Sequence, residues 1–261
     1  MHTLVLLKMV PDVVEELDVA PGGKSLSTEF LRMIVSESDE HALEEALILK
    51  ERHGGKVTVL ALDAPEVDDA LFTALAKGAD RALKIVDAET GGSTGAACKV
   101  LADVLANDHG LMPADLILTG TQAIDDLDGL AAPLLSHYLG WPFVGIVTAV
   151  AVSPSGNAAT VTREFPNSIR GEFELQLPAV LGVQAAERPP RYVPVAKVRA
   201  AMKTQSIVPV PVATLAEGGP ALLDVCGMSK PEPASHAVML EGSADDVSGR
   251  LCGILRERGL L

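Results

Sequence analysis

Aromatic side chains are scarce in this sequence. Phe, Trp and Tyr together make up 3% of 261 residues, too few for a platform on which bases would stack. Positive charge is also short. Lys and Arg number 21 against 35 Asp and Glu, giving a formal charge of −14, and no local basic patch relieves it. An acidic chain of this kind is a poor electrostatic match for nucleic acid or an anionic membrane. No apolar run approaches the roughly 18 residues of a membrane helix. The first apolar run, Leu4 to Leu7, ends in charge, so no signal peptide and no membrane insertion are expected. Three cysteines, Cys98, Cys226 and Cys252, form no CxxC pair and no disulfide framework, which fits a reducing, cytoplasmic setting. HExxH, a cysteine–histidine cluster, a Walker A lysine motif and a Rossmann glycine triplet after the first strand are all missing, so no metal site is expected.

What is present is length and periodicity. Apolar residues make up 48% of the chain, enough for a substantial core. Strand-like runs at 2–7, 57–62, 82–86 and 116–119 alternate with helix-like segments at 37–52, 66–77, 96–107 and 130–139. This alternation predicts an α/β fold with a mostly parallel sheet and helices on both faces. A turn at Pro21-Gly22-Gly23 suggests that residues 30–35 add a hairpin strand. After Trp141 the pattern becomes antiparallel, with strands at 144–152, 159–165 and 169–177, and a further apolar strand at 179–183. From Ala186 prolines punctuate the chain, including Pro220 and Pro233, until a final helix at 244–258. The expected division is an α/β domain over residues 1–185. Residues 186–261 then form an extended C-terminal arm that folds on a partner, a floppy or self-packed tail being the alternative.

Three local features compete for a functional role. Gly91-Gly92-Ser93-Thr94-Gly95 has the letters of a nucleophile elbow, with His137 and His236 as later histidines. Four residues separate it from the strand, however, and Ser93 or Thr94 reads better as a helix N-cap. The acids Glu37, Asp39, Glu40, Glu44 and Glu45 spread around a helix. They read as a solvated, dipole-favouring face rather than a metal cluster. The loop Gly120-Thr121-Gln122-Ala123-Ile124-Asp125-Asp126 is the most informative. It lies where a parallel strand ends and a helix begins, where α/β folds bind ligands. Amides at the start of the Leu130 helix suit a phosphate, and Gly129 permits close approach. Asp125 or Asp126 suits either a ribose hydroxyl or a helix cap, and the spacing fits both.

Several blocks in order resemble the small (beta) subunit of electron transfer flavoprotein. They are LVLLKMVPD, ESDEHALEEALILKE, TALAKGADRALKI, ADLILTGTQAIDD, YLGWP, VTREFPNSIRGEFELQLPAVLGV and PRYVPVAKV. They cover about residues 1 to 200, and HAVMLEGSADD is similar to the C-terminal region of longer members such as those of methylotrophic bacteria. The resemblance implies an adenine nucleotide alpha hydrolase-like fold and a heterodimer with the large (alpha) subunit, which holds most of one FAD. Electrons then pass singly from acyl-CoA or other flavin dehydrogenases to a quinone oxidoreductase or another acceptor, and this chain carries no catalytic residues of its own.

The resemblance also implies a structural AMP bound by this chain. Its positions fall on Leu6, Ser36, Glu37, Ser38, Asp39 and Asp63, and on Gly120, Thr121, Gln122, Ala123, Ile124, Asp125, Asp126, Gly129, Leu130 and Ala131. Common members carry Asn-Gln-Thr where this chain has Gly129, Leu130 and Ala131, which leaves the phosphate to backbone amides. Val13 replaces a tyrosine that often approaches the flavin. In bifurcating relatives a second FAD fills the AMP site. Tyr192, Val195 and Lys197 fall on the family's dehydrogenase-docking loop, with Val195 at the apolar anchor. A stand-alone adenine-nucleotide-binding or sensing protein on the same scaffold is the alternative.

Overall fold

In the computed structural model of the chain, residues 1–88, 90, 92–107, 109–126, 128–212, 225–231 and 237–261 are described. Gly91, Pro220, Pro233, His236 and the arm at 213–224 and 232–236 lie outside them.

The first strand, β1 (His2–Leu7), is buried along its whole length. Its side chains alternate between two cores: Val5 and Leu7 face one apolar cluster, Leu4 and Leu6 the other. A strand buried on both faces belongs at the centre of a helix-covered sheet. After it come β2 (Met9–Pro11) and β3 (Met33–Val35), a small antiparallel pair set off from the main sheet. The chain then alternates as expected through α1 (Glu37–His53), β4 (Lys56–Leu62), α2 (Val67–Lys77), β5 (Arg81–Val86), α3 (Thr94–Ala106), β6 (Leu116–Gly120) and α4 (Ala131–Leu139). Four strands, β7 (Phe143–Val152), β8 (Ala158–Phe165), β9 (Ile169–Gln176) and β10 (Ala179–Val183), follow.

Beyond them come α5 (Val195–Thr204), β11 (Ile207–Pro211) and α6 (Ala244–Glu257). The main sheet runs β11-β5-β4-β1-β6-β10-β7-β8-β9. Its first seven strands are mutually parallel, and β8 and β9 extend it antiparallel. Helices α1 and α2 cover one face with Leu43, Leu47, Leu71 and Leu75; α3 and α4 cover the other with Val100, Leu105 and Leu135. Leu4 and Leu60 are wholly buried, worth about 2 kcal/mol each by transfer from water.

Two elements lie where the sequence pattern is proline-rich. Helix α5 packs on α2, and β11 adds a parallel edge strand beside β5, with Val210 paired to Ile85. Residues 195–211 therefore belong to the body of the α/β sheet. Pro209 and Pro211 lack the N–H groups an edge would offer to another chain. Of the described residues beyond 212, α6 carries an N-terminal capping box between Ser243 and Asp246 and has no buried residue.

Candidate functional site

Strands β4 and β5 lie to one side of β1, and β6 lies to the other. The strand order therefore reverses between β1 and β6, and at that reversal a crevice opens beyond the carboxyl ends of the strands. The cavity is about 330 Å³. Leu6, Leu7 and Lys8 from the end of β1, Leu60 to Leu62 from β4, and Thr119 and Gly120 from β6 form its floor. Ser93, Thr94, Ala97 and Cys98 at the start of α3, with Ala131 at the start of α4, form a wall. Asp39, Ala123 and Asp126 close it.

Asp39 organises this crevice. Its Oδ1 accepts the Gly120 N–H at 2.6 Å and its Oδ2 the Lys8 N–H at 2.9 Å. One carboxylate at the first turn of α1 thus satisfies a backbone donor at the ends of both β1 and β6. The contact is close enough that a Cβ on Gly120 would lie 2.1 Å from Ser38 Oγ and 2.7 Å from Asp39 Oδ1. Burial pushes the Asp39 carboxyl up to about 7, against the pull of the two amides.

The loop after β6 is tied down from several sides. Ser38 Oγ donates to the Gln122 carbonyl at 2.9 Å, and Ser36 Oγ is 3.2 Å from Ser38 Oγ. Thr121 Oγ1 donates to the Gly182 carbonyl at 3.0 Å, and Gln122 Nε2 to the Asp126 carbonyl at 3.0 Å. Lys8 Nζ forms ion pairs with Asp125 at 2.7 Å and with Asp126. Burial disfavours the Lys8 ammonium, but the hydrogen bonds to Asp125 and Asp126 outweigh it and raise its pKa. Neither acid caps the next helix: its N-terminus has no side-chain cap hydrogen bond, and just ahead of it Asp128 Oδ1 accepts the Leu130 N–H at 3.1 Å. Helix α4 starts at Ala131, with Leu130 as its N-cap and Gly129 at φ +58°.

Leu6, Asp39, Gly120, Ala123, Asp126 and Ala131 thus converge on the cavity. Ser36, Ser38, Thr121, Gln122, Asp125, Gly129 and Leu130 support its rim through the loop and the start of α4. Glu37 and Ile124 are exposed. Asp63 follows β4, its N–H donating to the Ile85 carbonyl at 2.8 Å and its carboxylate 3.6 Å from Lys84 Nζ. Lys8 was not anticipated; its signal in the sequence is a lone cation directly after an apolar strand. Cys98 also lines the wall, and burial pushes its thiol up to about 12.

Ser93 is a cap. Its side chain accepts the Ala96 N–H at 3.3 Å, and its φ of −81° and ψ of 123° are ordinary extended values, not those of a strained elbow. The acids of α1 depart from expectation more sharply. Asp39, Glu44 and Glu45 are buried rather than solvated, at 6%, 4% and 0% exposure. Each faces backbone N–H groups that need an acceptor. No metal-holding group of His, Cys, Asp and Glu occurs among the described residues. No helix among them is long and apolar enough to cross a membrane.

Tyr192, Val195 and Lys197 are exposed, Tyr192 at 83% and Val195 at 61%. They sit not on a free loop but on the approach to α5 and its first turn, where the Lys197 N–H donates to the Pro194 carbonyl at 2.8 Å.

Fold and crevice together define a doubly wound α/β protein with a cleft at its switch point. A family model described as an electron transfer flavoprotein domain matches residues 26–216. The electron transfer flavoprotein subunit beta of Methylophilus methylotrophus is 28% identical over 269 residues, covering 98% of each chain. That of Clostridium acetobutylicum is 32% identical over 204 residues, covering 76% of this chain and 74% of the relative. That of Thermoanaerobacterium thermosaccharolyticum is 33% identical over 193 residues, covering 74% and 71%. The chain belongs to the electron transfer flavoprotein family.

Proposed function

We propose that this chain is the small subunit of a heterodimeric electron transfer flavoprotein and binds one AMP as a structural ligand in the crevice between β1 and β6. The observation that carries the reading is the convergence of Leu6, Asp39, Gly120, Ala123, Asp126 and Ala131 on a single cavity. The residues fit the group. A cavity of about 330 Å³ lies at the small end of ligand pockets, suited to a mononucleotide rather than to a dinucleotide. Leu6, Leu60, Leu62, Ala97 and Leu101 supply apolar wall for a base. The amides of Ala131 and Ala132, at the start of α4, suit a phosphate. Lys8, Asp125 and Asp126 supply charged donors and acceptors at the rim for ribose hydroxyls.

FAD, held mainly by the large subunit, accepts and gives up electrons singly. The work of this chain is to close over that subunit, to hold AMP, and to present Tyr192, Val195 and Lys197 to a flavin dehydrogenase such as an acyl-CoA dehydrogenase. A quinone oxidoreductase or another acceptor then takes the electrons. No proton-transfer or nucleophilic group of this chain is needed for that task. The test is reconstitution with the large subunit and reduction of the bound flavin by an acyl-CoA dehydrogenase. Flavin bleaching that requires both subunits supports the reading. A chain that ignores the large subunit yet binds adenine nucleotide supports the sensor alternative.

A further inference from the structure

The middle of α1 grips the chain segment that leads to α5. The Ala186 N–H donates to His41 Nδ1 at 3.1 Å, the Glu187 N–H to Glu45 Oε2 at 3.1 Å and the Arg191 N–H to Glu44 Oε2 at 2.9 Å. Glu45 Oε1 also accepts the Val150 N–H at 3.0 Å, which ties the same helix to β7. Side chains repeat the pattern. The Arg191 guanidinium forks onto Glu44, Nε donating at 2.9 Å and Nη2 at 2.7 Å, and reaches Glu51 with Nη1 at 2.8 Å. Arg52 makes a two-point pair with Glu187 at 2.7 and 2.6 Å.

Glu44 is 4% exposed, so the carboxylate side of the pair is shielded from water while the Arg191 side is partly open to it. Burial opposes the Glu44 carboxylate, but Arg191 outweighs it and holds the carboxyl below its usual range. A planar fork fixes direction as well as distance, which a point charge does not. Arg191 comes three residues before the Pro194 cap of α5 and four before Val195, the exposed first residue of that helix. Helix α5 has one buried residue, Ala201, so little apolar packing of its own fixes its first turn.

We infer that Glu44 and Arg191 are positioning residues for electron transfer: through their two-point pair, α1 fixes the direction in which Tyr192, Val195 and Lys197 are presented to the electron-donating flavoprotein. This inference rests on the reading that Val195 docks a dehydrogenase. Neither Glu44 nor Arg191 needs to touch the partner or the flavin. Asp39 at the start of the same helix builds the nucleotide crevice, so one helix sets both the crevice and the docking segment.

The test uses the reconstituted complex with its large subunit. Arg191→Gln strands a buried carboxylate and can unfold the chain, so Arg191→Lys is measured beside it. Lys keeps the charge and loses the fork. Reduction of the flavin by an acyl-CoA dehydrogenase is followed as KM and kcat, with dithionite as a reductant that needs no docking. Val195→Ala is run in parallel. The expected result for Arg191→Lys is a KM for the complex raised about tenfold, with kcat within about twofold. Flavin content and dithionite reduction should stay unchanged, and trypsin should cut faster after Lys197 and Arg199. If Val195→Ala raises KM and Arg191→Lys does not, the positioning role is wrong and the docking reading stands. If Val195→Ala leaves KM unchanged, the docking reading itself is wrong, and the positioning role falls with it.

Discussion

Asp39 Oδ1 accepts the Gly120 N–H at 2.6 Å across 81 positions of sequence. This bond joins the first turn of α1 to the last residue of β6, and it sets the width of the crevice on that side. A methyl group on Gly120 has no room. Gly120→Ala is expected to destabilise the chain by about 2 kcal/mol, as overpacking does, and to reduce AMP binding more than tenfold. Denaturant midpoints and calorimetric titration with AMP measure the two effects. Full binding by a stable Gly120→Ala variant would show that the crevice tolerates a wider spacing.

Stability should depend on pH through the buried acids. Asp39 rises from an ordinary 3.8 to about 7, and Glu45 from 4.5 to about 7, burial being the main cause in both. The folded chain then holds more protons than the unfolded chain between those values. Their stabilising contribution is full below about pH 4 and is lost as pH rises through about 7. Glu44 acts in the opposite sense: its lowered pKa gives stability above its ordinary value of 4.5 that is lost as pH falls. Denaturant midpoints from about pH 5 to about pH 8 should therefore decline. Glu45→Gln should flatten that decline while lowering the acid-side plateau, because Gln replaces one of two acceptor oxygens with a donor. A midpoint that climbs steadily over the same range contradicts the assignment.

Lys8 pairs with both Asp125 and Asp126 at the crevice rim and offsets one of their two charges. Lys8→Met leaves two carboxylates at the rim, where the ribose is placed, and their field repels the phosphate of the same nucleotide. AMP affinity should fall about tenfold at low salt, and the deficit should shrink as salt screens the repulsion. Adenosine, which carries no phosphate, should lose less. Equal losses for both ligands would place the phosphate away from Lys8.

Ser93 caps α3, its side chain accepting the Ala96 N–H. Ser93→Ala should cost about 1 kcal/mol of stability. An organophosphate probe should leave the wild-type chain unlabelled. Labelling at Ser93 would revive the nucleophile-elbow reading.

The parts of the molecule that follow local periodicity were legible in the sequence. Strand β1 and strand β10 fall at the expected residues, and the bounds of α1, β4, α2, β5 and α4 differ from expectation by a residue at an end. The crevice was legible through the loop 120–126, because a strand-to-helix junction needs only local signals. Long-range pairing was not. Strand β11 is three apolar residues and two prolines, and only β5, more than 120 residues earlier, makes it a strand. Helix α5 carries a weak stripe that becomes readable once α2 lies beneath it. The buried acids were hidden for the same reason. Glu44 and Glu45 look like surface residues until their partners, the amides of residues 187 and 191, arrive from 142 and 147 positions further along the chain.

The central claim is that this chain holds AMP inside a flavin-carrying heterodimer. The most direct measurement is to co-express it with its large subunit, determine the native mass, and identify the ligands released on denaturation. The account predicts a yellow one-to-one complex that releases one FAD and one AMP. A chain that stays monomeric beside the large subunit and releases no nucleotide would contradict it.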